Sequence, residues 1–213
     1  PLEGHPVPRL SGVKAATGSL GQGLSVGVGM SMAVKADNRD QRVYVLLGDG
    51  EMAEGNVWEA MSFASFYRLD NLIAVLDMNR LGQSEATMFQ WDDATYRKRA
   101  EAFGWNVFTV NGHSIDKLLD AFEQARERAR ESEAPVLIIT ETVKGKLGGS
   151  SENKEGYHGK PLPSEEADEI ITGLKNSLSS VDYKPPNFIR GTPRGIGKSE
   201  LTLKTNYKKG DSE

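Results

Sequence analysis

The chain has 213 residues, a net charge of −4 and no cysteine. This length is sufficient for one domain with a substantial buried core. The acidic balance gives no electrostatic basis for binding nucleic acid or an anionic membrane surface. The lack of cysteine excludes disulfides and thiolate metal sites and fits a reducing compartment, so we expect a cytoplasmic protein. No apolar run approaches the ~20 residues that span a membrane, so we expect no membrane partner.

The first half of the chain predicts an irregular segment followed by a helix, a strand, a helix and a strand. Residues 1–17 are typical of loop. Residues 18–37 are small and apolar with no charge before Lys35, which predicts a buried helix whose glycines permit close backbone approach. Continuous apolar runs are typical of strands covered on both faces. They occur at residues 42–47 and 72–77, on either side of a predicted helix at 55–69.

The second half continues the same alternation. Ser114 is a suitable N-cap for the longest predicted helix, and two prominent loops carry glycine and polar residues. In chain order we predict a loop at 82–90, a helix at 92–103, a strand at 105–110, a helix at 114–131, a strand at 135–143, a glycine-rich loop at 144–163 and a helix from 163 to about 178.

Strands alternating with helices predict a doubly wound α/β fold with a mainly parallel sheet and helices on both faces. We assign residues 1–178 to this domain, incomplete at its N-terminus, and residues 179–213 to an extended linker, because apolar content falls sharply there. Ligands of such sheets bind outside the carboxyl ends of the strands. Four polar loops follow predicted strands and should meet at that edge: Gly48-Asp49-Gly50, Asn79, Asn111-Gly112-His113 and Lys144-Gly145-Lys146.

Asp49 and Asn79 are the candidate metal ligands. A carboxylate, an amide oxygen and one main-chain carbonyl form an oxygen-only half-shell that suits Mg²⁺, with Ca²⁺ or Mn²⁺ as alternatives. Phosphate oxygens and water would complete the coordination. The alternative is that Asp49 caps the next helix and Asn79 shapes a turn. The pairing of both residues after two matched strands favours the metal.

These stretches resemble transketolase, in its thiamine diphosphate-binding domain. The signature of thiamine diphosphate enzymes is Gly-Asp-Gly followed about thirty residues later by Asn, as in Gly48-Asp49-Gly50 and Asn79. Further matches are Gly4-His5-Pro6, the run from Thr17 to Gly23, the run from Asp77 to Ser84, and Tyr157-His158-Gly159-Lys160-Pro161-Leu162. The resemblance covers residues 4 to about 178. A dinucleotide fingerprint at Gly21-Gln22-Gly23 is rejected, because no strand precedes it and the third glycine is out of place.

The resemblance implies a role for each of several residues. The metal ligands would be Asp49, Asn79 and the main-chain oxygen of Leu81. The thiamine diphosphate contacts would be Gly18, Ser19, Leu20, Gly50, Asn79, Lys144 and His158. His5 and His158 would face cofactor and sugar as catalytic residues, and Glu54 and Glu59 would couple two active sites at a dimer interface.

Simpler roles remain open for some of these residues. The alternative role for His113 is only to stabilise its turn, since Asn111 stands where the family usually has Asp. Glu54 and Glu59 can instead complement a helix dipole, and Lys144 can be a solvated loop cation.

The resemblance implies transfer of a two-carbon ketol unit from a ketose phosphate to an aldose phosphate, with the cofactor as electron sink, in the pentose phosphate pathway. Family members carry a further pyrimidine-binding domain. We therefore expect this chain to bind Mg²⁺ and diphosphate groups weakly and to be inactive without that domain or subunit. Homodimers or heterotetramers are the expected assemblies. The alternatives are a non-catalytic dimerisation or regulatory module, or another thiamine diphosphate enzyme such as deoxyxylulose-phosphate synthase.

Overall fold

The computed structural model describes residues 4–9 and 13–178; the predicted linker at 179–213 lies outside the described residues. Four parallel strands form one sheet in the order β1-β2-β4-β3. Their bounds are β1 Val43–Gly48, β2 Leu72–Met78, β3 Asn106–Asn111 and β4 Val136–Glu141. The predicted doubly wound fold with a parallel sheet is therefore confirmed.

Five α-helices are present among the described residues, and each lies where the sequence predicts one. They are α1 Gln22–Ala36, α2 Gly55–Phe66, α3 Asp93–Ala102, α4 Ile115–Ser132 and α5 Ser164–Leu178. The predicted cap of α4 is confirmed, because Ser114 Oγ accepts a hydrogen bond from Lys117 N at 3.4 Å. None of the described helices combines the length and apolar character that crossing a bilayer requires.

The direction of each crossover decides which face of the sheet its helix covers. The connections β1–β2 and β2–β3 advance across the sheet in one direction, whereas β3–β4 returns by one position. Right-handed crossovers in opposite directions place their helices on opposite faces. Accordingly α2 and α3 share one core cluster with α1, and α4 packs its alanines against the other face. On that second face α4 packs extensively against β3 and β4.

The prediction that β1 is covered on both faces is wrong. Val43, Val45 and Leu47 are buried under α1 and α2, but Tyr44 and Leu46 are 50% and 72% exposed on the opposite face. The reason is topological: α4 crosses over β3 and β4, while β1 is at the far edge of the sheet. A continuous apolar run does not distinguish an edge strand of this kind from a central one.

The prediction of a buried helix at 18–37 is also partly wrong. Helix α1 begins at Gln22 and buries only the face that carries Leu24, Gly27, Val28 and Ser31. On its other face Val26 is 39% exposed and Met30 is 38% exposed. The glycine prediction is confirmed at Gly27, where an added β-carbon would overlap Val45 Cγ2.

Candidate functional site

The four polar loops that follow the strands line a single cleft of about 910 Å³. The cleft lies at the carboxyl edge of the sheet, where the topology of a parallel sheet predicts a ligand. Among its lining residues are Gly48, Asp49, Gly50, Asp77, Asn79, Leu81, Gly112, His113, Lys144 and His158. Residues as far apart in sequence as Leu20 and His158 thus line one site.

Asp49 is 4% exposed, and both of its carboxylate oxygens accept hydrogen bonds. Oδ1 accepts from Gly50 N at 2.9 Å, and Oδ2 accepts from Arg80 N at 2.6 Å and from Thr87 Oγ1 at 3.1 Å. Burial raises the pKa of this carboxyl above its ordinary 3.8, while these hydrogen bonds act in the opposite direction. Asp49 is not a helix cap: the N-cap of the short 3₁₀ helix Glu51–Ala53 is Gly50, and the N-cap of α2 is Glu54.

Asn79 is held in a fixed orientation by the end of its own strand. Its Oδ1 accepts from Leu81 N at 3.1 Å, so it does shape the turn. Its Nδ2 donates to Asp77 Oδ2 at 3.0 Å, and the other Asp77 oxygen accepts from the Thr142 hydroxyl. This chain of bonds fixes which atom of the amide is the oxygen, so the oxygen is directed away from Asp77.

The main-chain oxygen of Leu81 belongs to a short hairpin, residues 80–87. Thr87 N donates to Arg80 O at 2.8 Å and Gly82 N donates to Glu85 O at 2.9 Å. The half-buried Lys144 donates to Gly82 O at 3.0 Å and to Leu81 O at 3.4 Å. Lys144 is therefore not simply a solvated cation, since its ammonium group already lies against these carbonyls.

Two histidines border the cleft with defined roles for their ring nitrogens. Lys144 Nζ lies 3.2 Å from His158 Nδ1, and an ammonium only donates, so Nδ1 accepts and the proton is on Nε2. His113 Nε2 accepts from Val143 N at 2.8 Å. Asn111 Oδ1 accepts from His113 N at 2.9 Å, which shows that Asn serves this turn without a carboxylate. His113 thus stabilises its turn and also lines the cleft.

Glu51 joins the two sides of the cleft, and sequence reasoning did not single it out. Its Oε1 accepts from Gly21 N at 2.7 Å and its Oε2 accepts from Gly48 N at 3.1 Å. Gly21 follows Leu20, which is 42% exposed and lines the cleft, and Gly48 precedes Asp49. The only available signal was the position of a carboxylate directly after Gly48-Asp49-Gly50.

Arg80 is a second residue that sequence reasoning missed. It has a left-handed backbone with φ of 68°. Its Nε and Nη2 donate to Asn153 Oδ1 and O at 2.6 and 2.9 Å, which ties the hairpin to the loop that precedes His158. No sequence pattern connects residues 73 positions apart, so this pairing required the structure.

The remaining predicted site residues lie in two different compact units. Residues 4–9 and 13–18 belong to a different compact unit from residues 19–178 and are described by themselves. Within that unit His5 lies against Gly18, where an added β-carbon would be 2.6 Å from His5 Cγ. Ser19 is exposed and Gly50 lines the cleft. Glu54 and Glu59 are both exposed, and Glu54 is the N-cap of α2.

The part of the chain that the structure describes has no group of three or more His, Cys, Asp or Glu that would hold a metal alone. The cleft offers instead one buried carboxylate, an amide oxygen, main-chain carbonyls and a lysine. Such a set is suited to a hard cation shared with phosphate oxygens, because those oxygens supply the missing ligands.

A family model described as transketolase, thiamine diphosphate binding domain, matches residues 2–181. This match covers all four loops of the cleft. The chain belongs to this transketolase family. Family membership therefore supports thiamine diphosphate as the cofactor of the cleft.

The chain is also similar to complete members of the transketolase family. It is 48% identical to bovine (Bos taurus) transketolase-like protein 2 over 215 aligned residues, which are 99% of the chain and 34% of the relative. The crystal structure of transketolase from Campylobacter jejuni superposes with a TM-score of 0.70 at 35% identity, over 77% of this chain and 26% of that one. The chain thus spans about a third of the length of the curated relatives it matches.

Several solved structures of Pichia stipitis transketolase carry a sugar phosphate. The structure from Pichia stipitis in complex with sedoheptulose-7-phosphate superposes with a TM-score of 0.64 at 29% identity. The match covers 75% of this chain and 25% of that one.

Proposed function

We propose that this chain is the diphosphate-binding part of a transketolase that moves a two-carbon ketol unit from a ketose phosphate to an aldose phosphate. The observation that carries the proposal is the meeting of Asp49, Asn79, Lys144 and His158 in one cleft of a family member. The sugar phosphate bound to the Pichia stipitis transketolase supports this substrate class.

The metal ligands in this proposal are Asp49, Asn79 and the carbonyl oxygen of Leu81. The donor set fits a divalent cation, because Asp49 is buried beside a second carboxylate, Asp77, whose charge also raises its pKa. A cation would relieve that repulsion. We propose Mg²⁺, and Ca²⁺ or Mn²⁺ satisfy the same oxygen ligands.

Lys144 and the loop glycines would bind the diphosphate. The ammonium of Lys144 is already at the cleft, and Gly50 leaves room for close approach of phosphate oxygens. Leu20 supplies an apolar wall for the cofactor rings, with Gly18 and Ser19 beside it in sequence. When bound, thiamine diphosphate supplies the electron sink for carbon–carbon cleavage.

The histidines would bind the sugar. His158 holds a proton on Nε2 and presents it as a donor, while its Nδ1 is occupied by Lys144. Imidazole suits sugar hydroxyls because it donates and accepts hydrogen bonds. His5 is assigned the same task by the family resemblance. The residues of this chain would thus hold and orient the cofactor and the sugar, and none of them is assigned the role of activating the cofactor.

The remaining parts of this proposal concern partners. The chain spans about a third of its relatives, so we propose that a pyrimidine-binding domain or subunit completes the site. Exposed apolar residues on α1 and α2 support a homodimer or heterotetramer: Val26, Met30, Phe63 and Phe66. Glu54 is the N-cap of α2 and Glu59 lies within α2, and both would couple two active sites across that interface. We propose a cytoplasmic location.

Calorimetric titration tests this proposal. Mg²⁺ and thiamine diphosphate would be titrated into the chain, with and without a chain that carries the pyrimidine-binding domain. We expect binding heat from the chain alone and turnover only in the mixture. Asp49→Asn should remove the metal-dependent heat, whereas the exposed Asp168→Asn should leave it unchanged. Absence of binding in both mixtures would refute the proposal.

A second candidate is a non-catalytic dimerisation or regulatory module. It is favoured by the similarity to a relative named transketolase-like protein 2. The same mixture separates the two functions, because a regulatory module would bind the partner chain and give no turnover with any ketose phosphate tested.

A further inference from the structure

A second cavity, of about 570 Å³, lies behind the hairpin at residues 80–87. The hairpin separates it from the cleft, and the two share the segments around Asp49 and Gly82. Its volume is within the range of ligand pockets, ~300 to 1,000 Å³. No role proposed above uses this cavity.

Rigid aromatic side chains form the walls of the cavity. Trp58 Nε1 donates to Met52 O at 2.9 Å, which fixes the indole. The rings of Phe89 and Tyr96 meet edge to face with centroids 5.5 Å apart. Tyr96 is 1% exposed, and burial raises its pKa to about 12, so the wall is neutral at that point. Walls of this kind are preformed for a flat apolar ligand.

Arg99 supplies the charge. Its Cζ lies 5.2 Å from the Trp58 ring centroid and 4.6 Å from the Phe89 ring centroid. Two rings against the guanidinium fix its position and leave its N–H edge available. Among the described residues, no carboxylate forms an ion pair with Arg99, although Arg97 on the same helix forms one with Glu101. A fixed, unpaired guanidinium beside an apolar cavity is a receptor for an anion.

The acidic residues that line the cavity do not exclude an anionic ligand at Arg99. Both oxygens of Asp49 already accept hydrogen bonds, from the N–H groups of Gly50 and Arg80 and from the Thr87 hydroxyl. Glu85 is exposed, so its carboxylate is solvated. Exposed lining residues, among them Met88 at 79%, also show that the cavity opens to solvent.

We propose that this cavity is a binding site for a small planar carboxylate, with the rings of the ligand against the apolar lining around Trp58 and Met88 and its carboxylate on the N–H edge of Arg99. The proposal uses neither the metal nor the cofactor, so it stands or falls separately from the proposed function. It identifies the ligand by class: an aromatic ring or fused ring pair with one anionic group.

The test is a titration of the full chain with 2-naphthoate, followed by the indole N–H signals in two-dimensional NMR spectra. The chain has three tryptophans, which report on three places. Trp58 lines the cavity, Trp91 Nε1 donates to Thr142 O, and Trp105 Nε1 donates to Met61 O in the core. We expect a saturable shift of Trp58 and none of Trp105. Neutral 2-naphthamide and ring-free acetate should bind at least about tenfold more weakly, because each lacks one of the two recognised features.

Two substitutions and one control complete the test. Arg99→Gln should weaken 2-naphthoate about tenfold, and Phe89→Leu should weaken it as well, since the guanidinium then loses one of its two supporting rings. Lys98→Gln removes the neighbouring positive charge of α3 without touching the cavity and should change binding less than twofold. An unchanged Trp105 signal verifies that each variant is folded. Any one of four results would overturn the proposal. Two concern affinity: equal binding of 2-naphthoate and 2-naphthamide, or unchanged binding in Arg99→Gln. Two concern the NMR spectra: no saturable shift of the Trp58 signal, or signal shifts confined to Lys144 and His158.

Discussion

The ammonium group of Lys144 lies 3.4 Å from the carbonyl oxygen of Leu81, the oxygen proposed as a metal ligand. A divalent cation and an ammonium repel each other at such a distance. Under the proposed function Lys144 would therefore have two effects of opposite sign in this cleft: it would compete with the metal, and it would attract the diphosphate.

Replacing Lys144 by Met should separate these two effects. Without diphosphate, Mg²⁺ affinity should rise about three- to tenfold, because the competing charge is removed. Affinity for thiamine diphosphate should fall about tenfold or more, because a charge-assisted contact is lost. Calorimetry with Mg²⁺ alone and then with both ligands measures each effect. Lys175→Met, on α5, is the control for net charge, and a fall of both affinities in Lys144→Met would contradict the prediction.

Glu51 should be important for stability as well as for the cleft. It is the acceptor for the main-chain N–H groups of Gly21 and Gly48, both in half-buried surroundings. Glu51→Ala leaves both donors unsatisfied and should lower the free energy of unfolding by about 1–3 kcal/mol. Glu51→Gln retains one acceptor oxygen and should lose about half as much.

Urea unfolding monitored by circular dichroism measures these differences. Glu127→Ala, on an exposed turn of α4 without a hydrogen bond among those described, is the matched control and should fall within about 0.5 kcal/mol of the parent chain. Equal stability of Glu51→Ala and the parent would show that the two hydrogen bonds of Glu51 contribute nothing to stability.

Two glycines of α1 should respond to alanine with opposite signs. An added β-carbon at Gly27 would overlap Val45 Cγ2, whereas at Gly29 nothing lies within 4 Å. Gly27→Ala should therefore destabilise the chain by about 1–3 kcal/mol through displacement of α1 from β1. Gly29→Ala should stabilise it by about 0.5–1 kcal/mol through helix propensity. Thermal unfolding of the pair measures both, and the same sign for both would contradict the packing described for α1.

Acid should weaken the loop that leads to His158. Hydrogen bonds from the Ser150 hydroxyl and N–H to Glu166 lower the pKa of that carboxyl below its ordinary 4.5. Those from Lys146 and Leu147 N do the same for the pKa of Glu152. A carboxyl whose folded pKa is depressed adds stability that is complete above its unfolded pKa and is lost as pH falls through the folded value. The loss should therefore occur below pH 4.5.

Melting curves between pH 7 and pH 3 test this. Glu166→Gln should show a smaller fall of the midpoint below pH 4.5 than the parent chain. Glu165→Gln, the adjacent acid in the first turn of α5, makes none of these contacts with the loop and should keep the parent's pH dependence. A Glu166→Gln profile parallel to the parent's would mean that these bonds do not stabilise the folded chain.

The parts of the fold that follow from local pattern were predictable. Apolar runs alternating with helical periods give the strands and helices, and a parallel sheet brings its post-strand loops to one edge, which places Asp49, Asn79 and Lys144 together. The roles assigned to these residues towards metal and cofactor stay predictions.

What the sequence did not reveal depends on contacts between distant residues. The bonds of Glu51 to Gly21 and of Arg80 to Asn153 join segments 30 and 73 residues apart. The exposed face of β1 depends on strand order, since α4 packs over β3 and β4 and leaves Leu46 on β1 uncovered. The cavity behind the hairpin arises only when α3 brings Arg99 against Trp58 and Phe89.

The outer edge of β1 has a consequence for handling the chain by itself. Among the described strands β1 pairs with β2 alone, so its other edge offers main-chain donors and acceptors beside the exposed rings and methyl groups of Tyr44 and Leu46. An unpaired, apolar and uncharged strand edge is a template for adding a further strand from another molecule. Aggregation of the chain at high concentration should therefore begin at β1, and a lysine in place of Leu46 should delay it.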